Sequence, residues 1–98
     1  MGDVFAAHAQ IFGKAGLGHA RLNACGYAMG AIYNPIWVDF PMFYENNPRL
    51  MRERQVFFLH MILMDSDSGL AMCLGHSVEV TAQGAKRLSR HAPDLFEL

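Results

Sequence analysis

The chain has 98 residues, 52% of them hydrophobic and 17% charged, with eight Lys and Arg against nine Asp and Glu for a net charge of −1. That apolar content excludes a disordered chain, and the near-balance of charge removes the basic footprint that nucleic acid or an anionic membrane surface requires. A single domain over 1–98 is expected, in a homodimer or tetramer, because a domain this small leaves many apolar side chains to bury against a partner.

The longest apolar run, Val56 to Met64, is far short of the roughly 20 residues that span a bilayer, and no charged start leads into an apolar run as in a secretion signal. A soluble, cytoplasmic protein is expected. Cys25 and Cys73 lie far apart with no CxxC spacing and read as free, buried thiols of a reducing compartment.

From the N-terminus, Asp3 has the chemistry of a helix N-cap, its carboxylate accepting from a backbone N–H two or three residues on. Val4, Phe5, Ile11, Phe12 and Ala15 then recur at helical spacing, and Gly16 and Gly18 supply a stop, so a helix is expected over 4–15. A second short helical piece is expected over 20–24. The glycine-punctuated stretch that follows, "CGYAMGAIYNP", has no assignable period.

At Ile36 the period changes to two, with Ile36, Val38 and Phe40 on one side and Trp37 and Asp39 on the other. A strand over 36–40 is expected, and its flanking prolines, Pro35 and Pro41, make it short, irregular or an edge strand, because proline cannot donate to a ladder. In "YENNPRL", Asn47 before Pro48 suits either a loop or a helix cap.

The segment 48–64 is open between two readings, since a continuous apolar run does not distinguish helix from strand. As a helix it would be apolar all round and would need the centre of a small all-α bundle. As a strand it returns through "DSDSG" into "LAMCLGHSVEVTA". Pairing Met64 with Leu70 then puts Val56, Phe58, His60 and Ile62 on one face with Met72, Leu74, His76 and Val78. Phe57, Leu59, Met61 and Leu63 meet Ala71, Cys73, Gly75 and Ser77 on the other, large against small, as cross-strand packing favours. The strand reading makes "DSDSG" a turn in which Asp and Ser bond their own backbone. It fails as a calcium loop of the EF-hand kind, because positions 5, 6 and 12 from Asp65 are Gly69, Leu70 and His76.

The five histidines form no HxxxH or HxH pair, so no metal is expected from local spacing. In the Met64–Leu70 register His60 and His76 share a face at about 5 to 8 Å between Cβ atoms, too few donors for a closed zinc site. No GxGxxG, P-loop or GxSxG pattern occurs, and neither cysteine sits in a recognisable catalytic context, so no cofactor is expected.

Gly2, Val4, Phe5, Ala7, His8 and Phe12 of "MGDVFAAHAQIFGKAG" resemble the start of the central helix in hotdog-fold acyl-CoA thioesterases of the 4-hydroxybenzoyl-CoA thioesterase type. "PIWVDFPMFYENNPRL" resembles the strand after that helix, and "FFLHMILMDSDSGLAMCLGHSVEVTAQGAKRL" resembles the closing hairpin and tail. The resemblance implies an α+β fold, an antiparallel sheet wrapped around one central helix, here without the family's first strand. It also implies dimers with an acyl-thioester site at their interface, a carboxylate near the helix start acting on the thioester, and backbone N–H groups there holding the oxyanion. The family's carboxylate precedes the glycine matched by Gly2, where this chain has Met1, and Asp3 is the nearest carboxylate. The resemblance thus makes Asp3 and His8 the candidate catalytic residues and Phe5, Phe12 and Trp37 the candidate pocket lining, for an acyl-CoA or carrier-bound acyl substrate. A catalytically silent acyl-binding or protein-interaction domain is the alternative within that fold, and a small α-rich interaction protein is the alternative outside it.

Overall fold

The computed structural model describes residues 1–30, 38–92 and 94. Within them one helix, α1 (Gly2–Lys14), precedes five strands: β1 (Ala24–Ala28), β2 (Asp39–Tyr44), β3 (Val56–Asp65), β4 (Leu70–Thr81) and β5 (Gly84–Arg87). The strands make one antiparallel sheet in the order β2-β1-β3-β4-β5. The chain is therefore α+β, and the all-α alternative is overturned. Residues 48–55 carry no helix and Val56–Asp65 is extended, which divides the apolar run between two faces of the sheet.

Helix α1 begins at Gly2, with Met1 as N-cap and no side-chain capping bond. Asp3 is thus not the cap expected for it but a first-turn residue, where its charge still favours the positive end of the helix. The helix stops as its glycines suggested. Leu17 N–H donates to the Phe12 carbonyl at 2.9 Å and Gly16 N–H to the Gly13 carbonyl at 3.1 Å, the paired bonds of a Schellman motif, with Gly16 at φ +74° taking the left-handed position.

The expected helical piece at 20–24 is absent. Met64 N–H donates to the Ala20 carbonyl at 2.8 Å, Arg21 bridges Leu63, and Ala24 opens β1, so backbone pairing with β3 wins over local helix propensity. Gly26, at φ +153°, marks an irregularity in β1. It lets Cys25 turn into the core while Tyr27, two residues on, packs with Phe58 and His60, a reversal that strict alternation forbids.

The strand expected over 36–40 is shifted. Residues 31–37, Trp37 among them, lie outside the described residues, and β2 runs Asp39–Tyr44 with Pro41 inside it. The strand is at the sheet's edge, paired with β1 alone among the described strands, which is where a proline without an N–H is tolerated.

The β3–β4 hairpin forms, but Asp65 pairs with Leu70 and Met64 with Ala71. This is one residue away from the expected register, and because side chains alternate with period two, every facing relation on β4 reverses. The cause is the turn. Asp65 belongs to the strand rather than the loop, its carboxylate accepting from Asp67 N–H at 3.1 Å and from the Ser68 hydroxyl at 2.6 Å. His60 now lies opposite Gly75 and His76 opposite Leu59, so the two histidines are on opposite faces.

The core lies between α1 and the sheet: Met1, Phe5, Cys25, Phe43, Phe57 and Val78, with Val4, Ala9, Leu59, Met61 and Val80 packed around them. The Phe43 and Phe57 rings, both almost wholly buried, meet at 5.0 Å and a tilt of 48°, and burying each stabilises the fold by about 1.5–3 kcal/mol. Among the described residues no helix is long and apolar enough to cross a membrane.

Candidate functional site

Helix α1 does not close against the whole hairpin. A groove of about 600 Å³ runs between them, lined by Asp3, Val4, Ala7, His8, Ile11 and Phe12 of α1 and by Met61 and Leu74 of β3 and β4. Its helical wall is two adjacent i, i+4 rows, Asp3-Ala7-Ile11 and Val4-His8-Phe12, which the 3.6-residue turn sets side by side. Ile11, expected in the buried stripe, is 65% exposed because it stands on this open side.

His8 is 5% exposed, 4.4 Å from the Phe12 ring and 5.9 Å from the Phe5 ring by centroids. Its Nε2 is buried without a hydrogen-bond partner among the described residues. Burial, and then the Arg21 guanidinium, push its pKa below the usual imidazole range, so the ring is neutral at pH 7 and carries an unused polar atom. Such an atom costs about 1–3 kcal/mol when buried unpaired. Asp3 is exposed at the groove's end, five positions before His8 and about 7.5 Å away in helical rise.

The candidates from sequence divide accordingly. Asp3, His8 and Phe12 meet in one groove. Phe5 does not line it. The ring is 3% exposed, in the core, beneath the Arg21 guanidinium at 5.0 Å. Its free edge faces a second cavity of about 430 Å³ with Asp3, Arg21 and Asn47. Trp37 lies outside the described residues. Met61 and Leu74, the groove's other wall, were missed because the expected register put them on opposite faces, whereas they pair directly.

Asn47 sets the position of the helix start. It is buried, its Nδ2 donating to the Met42 carbonyl at 2.6 Å and its Oδ1 accepting from Arg49 N–H at 3.0 Å, while its carbonyl accepts from Gly2 N–H at 2.9 Å. It caps no following helix. Its bonds tie the 45–50 loop to the first turn of α1.

The sheet's opposite face carries a second grouping. His60 Nε2 is 2.8 Å from Cys73 Sγ, and the imidazole also packs against Phe58 at 5.1 Å and Tyr27 at 6.0 Å. Cys73 is exposed, contrary to the expectation of two buried thiols, whereas Cys25 is fully buried and its thiol pushed up to about 11 by desolvation. At the hairpin tip His19 Nε2 lies 3.4 Å from Asp65 Oδ1, and donor atoms of His19, Asp65 and Asp67 fall within 4.8 Å of one another. Both Asp65 oxygens are already engaged by the turn.

No protein-family model, curated protein or solved structure matches this chain.

Proposed function

We propose that the groove beside α1 binds the acyl part of a thioester, acyl-CoA or carrier-bound, and that Asp3 acts as the base toward water at the thioester carbonyl. The observation that carries this reading is the groove itself, apolar along Val4, Ala7, Ile11, Phe12, Met61 and Leu74, with a carboxylate at one end and the His8 ring in its wall. An acyl chain matches the apolar walls. In the tautomer protonated at Nε2, a turn of the His8 ring would bring that now buried donor to a thioester oxygen, and such a donor is worth most where charge develops in a water-poor site. The arrangement of one helix against a five-stranded antiparallel sheet is compatible with the hotdog-like architecture that the resemblance implies. A second copy belongs to the same reading, since Met64, Leu70, Met72 and Leu74 leave apolar surface exposed on the hairpin.

A catalytically silent acyl-binding domain is the second reading. It is favoured by the exposure of Asp3, which lines the groove only at its open end.

Hydrolysis of a panel of acyl-CoA thioesters by wild type and Asp3→Ala separates the two. Loss of a positioned base lowers turnover by about 10² or more, and that is the expected outcome for Asp3→Ala. Equal turnover in the variant would remove Asp3 as the base, and saturable acyl-CoA binding without turnover would leave the silent domain.

A further inference from the structure

We propose that Cys73 and His60 form a nucleophilic pair on the sheet face opposite α1, which takes an acyl group from an activated acyl donor as a thioester on Cys73. Because Ile62 pairs with Cys73 and His60 with Gly75, His60 and Cys73 are diagonal neighbours on one face, where long side chains reach one another. Gly75 contributes no side chain, and the Phe58 ring fills the place its Cβ would take. That ring, with Tyr27, flanks the imidazole and holds it toward the thiol.

A nucleophile and a base within hydrogen-bond reach, with the base held by a third group, is the arrangement of covalent catalysis. The thiolate is the reactive form of cysteine, and His60 Nε2, 2.8 Å from Sγ, can accept its proton in the tautomer that carries hydrogen on Nδ1. Among the described residues Cys25 has no such neighbour, and it is buried, so the chain holds an inert thiol for comparison.

The class of donor follows from what adjoins the pair. An apolar cavity of about 540 Å³ is walled by Leu22, Ala24, Tyr27, Val38, Met42 and Ile62, and His60 also lines it. Cys73 adjoins two of its walls, paired with Ile62 and touching His60. An apolar acyl chain fits such a cavity, with its carbonyl at the rim. The Cys73 proton passes to His60 Nε2 and Sγ adds to the carbonyl carbon. The tetrahedral intermediate then expels the donor's thiolate, which takes the proton back from His60. One C–S bond forms and one breaks, with no change of oxidation state and no further reactant. The site is distinct from the α1 groove and does not depend on Asp3.

Octanoyl-CoA incubated with the full chain at neutral pH tests this by intact-mass and peptide mapping. The expected result is one octanoyl adduct, removed by neutral hydroxylamine, mapped to Cys73 and absent in Cys73→Ser. In His60→Gln, which keeps a polar side chain of similar size, its formation slows about 10²-fold. Wild type in urea gives the rate of an unassisted Cys73, and the native rate should exceed it by a similar factor, whether or not the His60 variant folds. Asp3→Ala should retain the adduct, so failure of the groove reading and failure of this one are separable. A native rate no greater than that of the unfolded chain, unslowed reaction in folded His60→Gln, or an adduct confined to lysines would overturn the proposal.

Discussion

His8 shows how much a single atom can decide. Its ring is buried among Phe5, Phe12 and the helix, yet Nε2 finds no partner, a cost that packing alone does not explain. Replacement by phenylalanine removes the unpaired atom and directs the added volume toward the open groove. His8→Phe should therefore raise stability at pH 7.5 by about 1 kcal/mol, read from the urea midpoint, while lowering acyl-thioester turnover or affinity. The pH dependence has a definite sign. With the folded pKa below the ordinary 6.5, the unfolded chain binds more protons as pH falls through 6.5, so stability declines there and levels off once the folded imidazole is also protonated. The variant should show a flatter profile across that window, and an equal slope would remove His8 as its source. The His8 candidate came from its place in a resemblance; its burial and lack of a partner came from packing against the sheet.

At the scale of elements, the hairpin carries most of the information about function. Its existence was legible from two apolar runs around "DSDSG", but its register was not, because hydrophobic pattern alone tolerates both pairings when β3 is apolar on both faces. The decision rests with Asp65, whose carboxylate binds Asp67 N–H and the Ser68 hydroxyl and so starts the turn one residue later. That shift separates His60 from His76 and brings His60 to Cys73; it also sets Met61 opposite Leu74 along the groove. Gly75→Val probes it directly. The Phe58 ring occupies the place a Cβ would take, so the substitution should destabilise by about 1–3 kcal/mol, lowering Tm by several degrees on the scale of about 4–8 °C per kcal/mol for a domain of this size. Unchanged Tm would mean that Phe58 does not cover Gly75. Helix α1 was the most legible element, since its apolar spacing and Gly16 stop are local, and only its first turn moved, where the 45–50 loop rather than Asp3 sets the start.

For the whole molecule, the apolar surface left on the hairpin is the main unspent quantity. Leu70 and Met72, on the α1 side of the hairpin, and Met64, on the other, are each more than half exposed, and exposed apolar surface of this kind marks interaction faces. Sedimentation equilibrium should find a dimer or larger assembly, which Leu70→Glu with Met72→Glu converts to monomer; a monomeric wild type would remove the self-association expected from composition. The sequence by itself determined the α1 segment and its glycine stop, and it narrowed the hairpin with its polar turn and the placing of the proline-flanked strand to a few alternatives, because these depend on neighbours within a few residues. Only the tertiary structure decided that 20–24 joins the sheet, which face each hairpin residue occupies, that Phe5 belongs to the core, and that Cys73 is exposed beside His60. The first depends on backbone pairing between segments roughly 40 residues apart, and the hairpin's faces depend on a turn in which a one-residue shift moves every side chain to the other face.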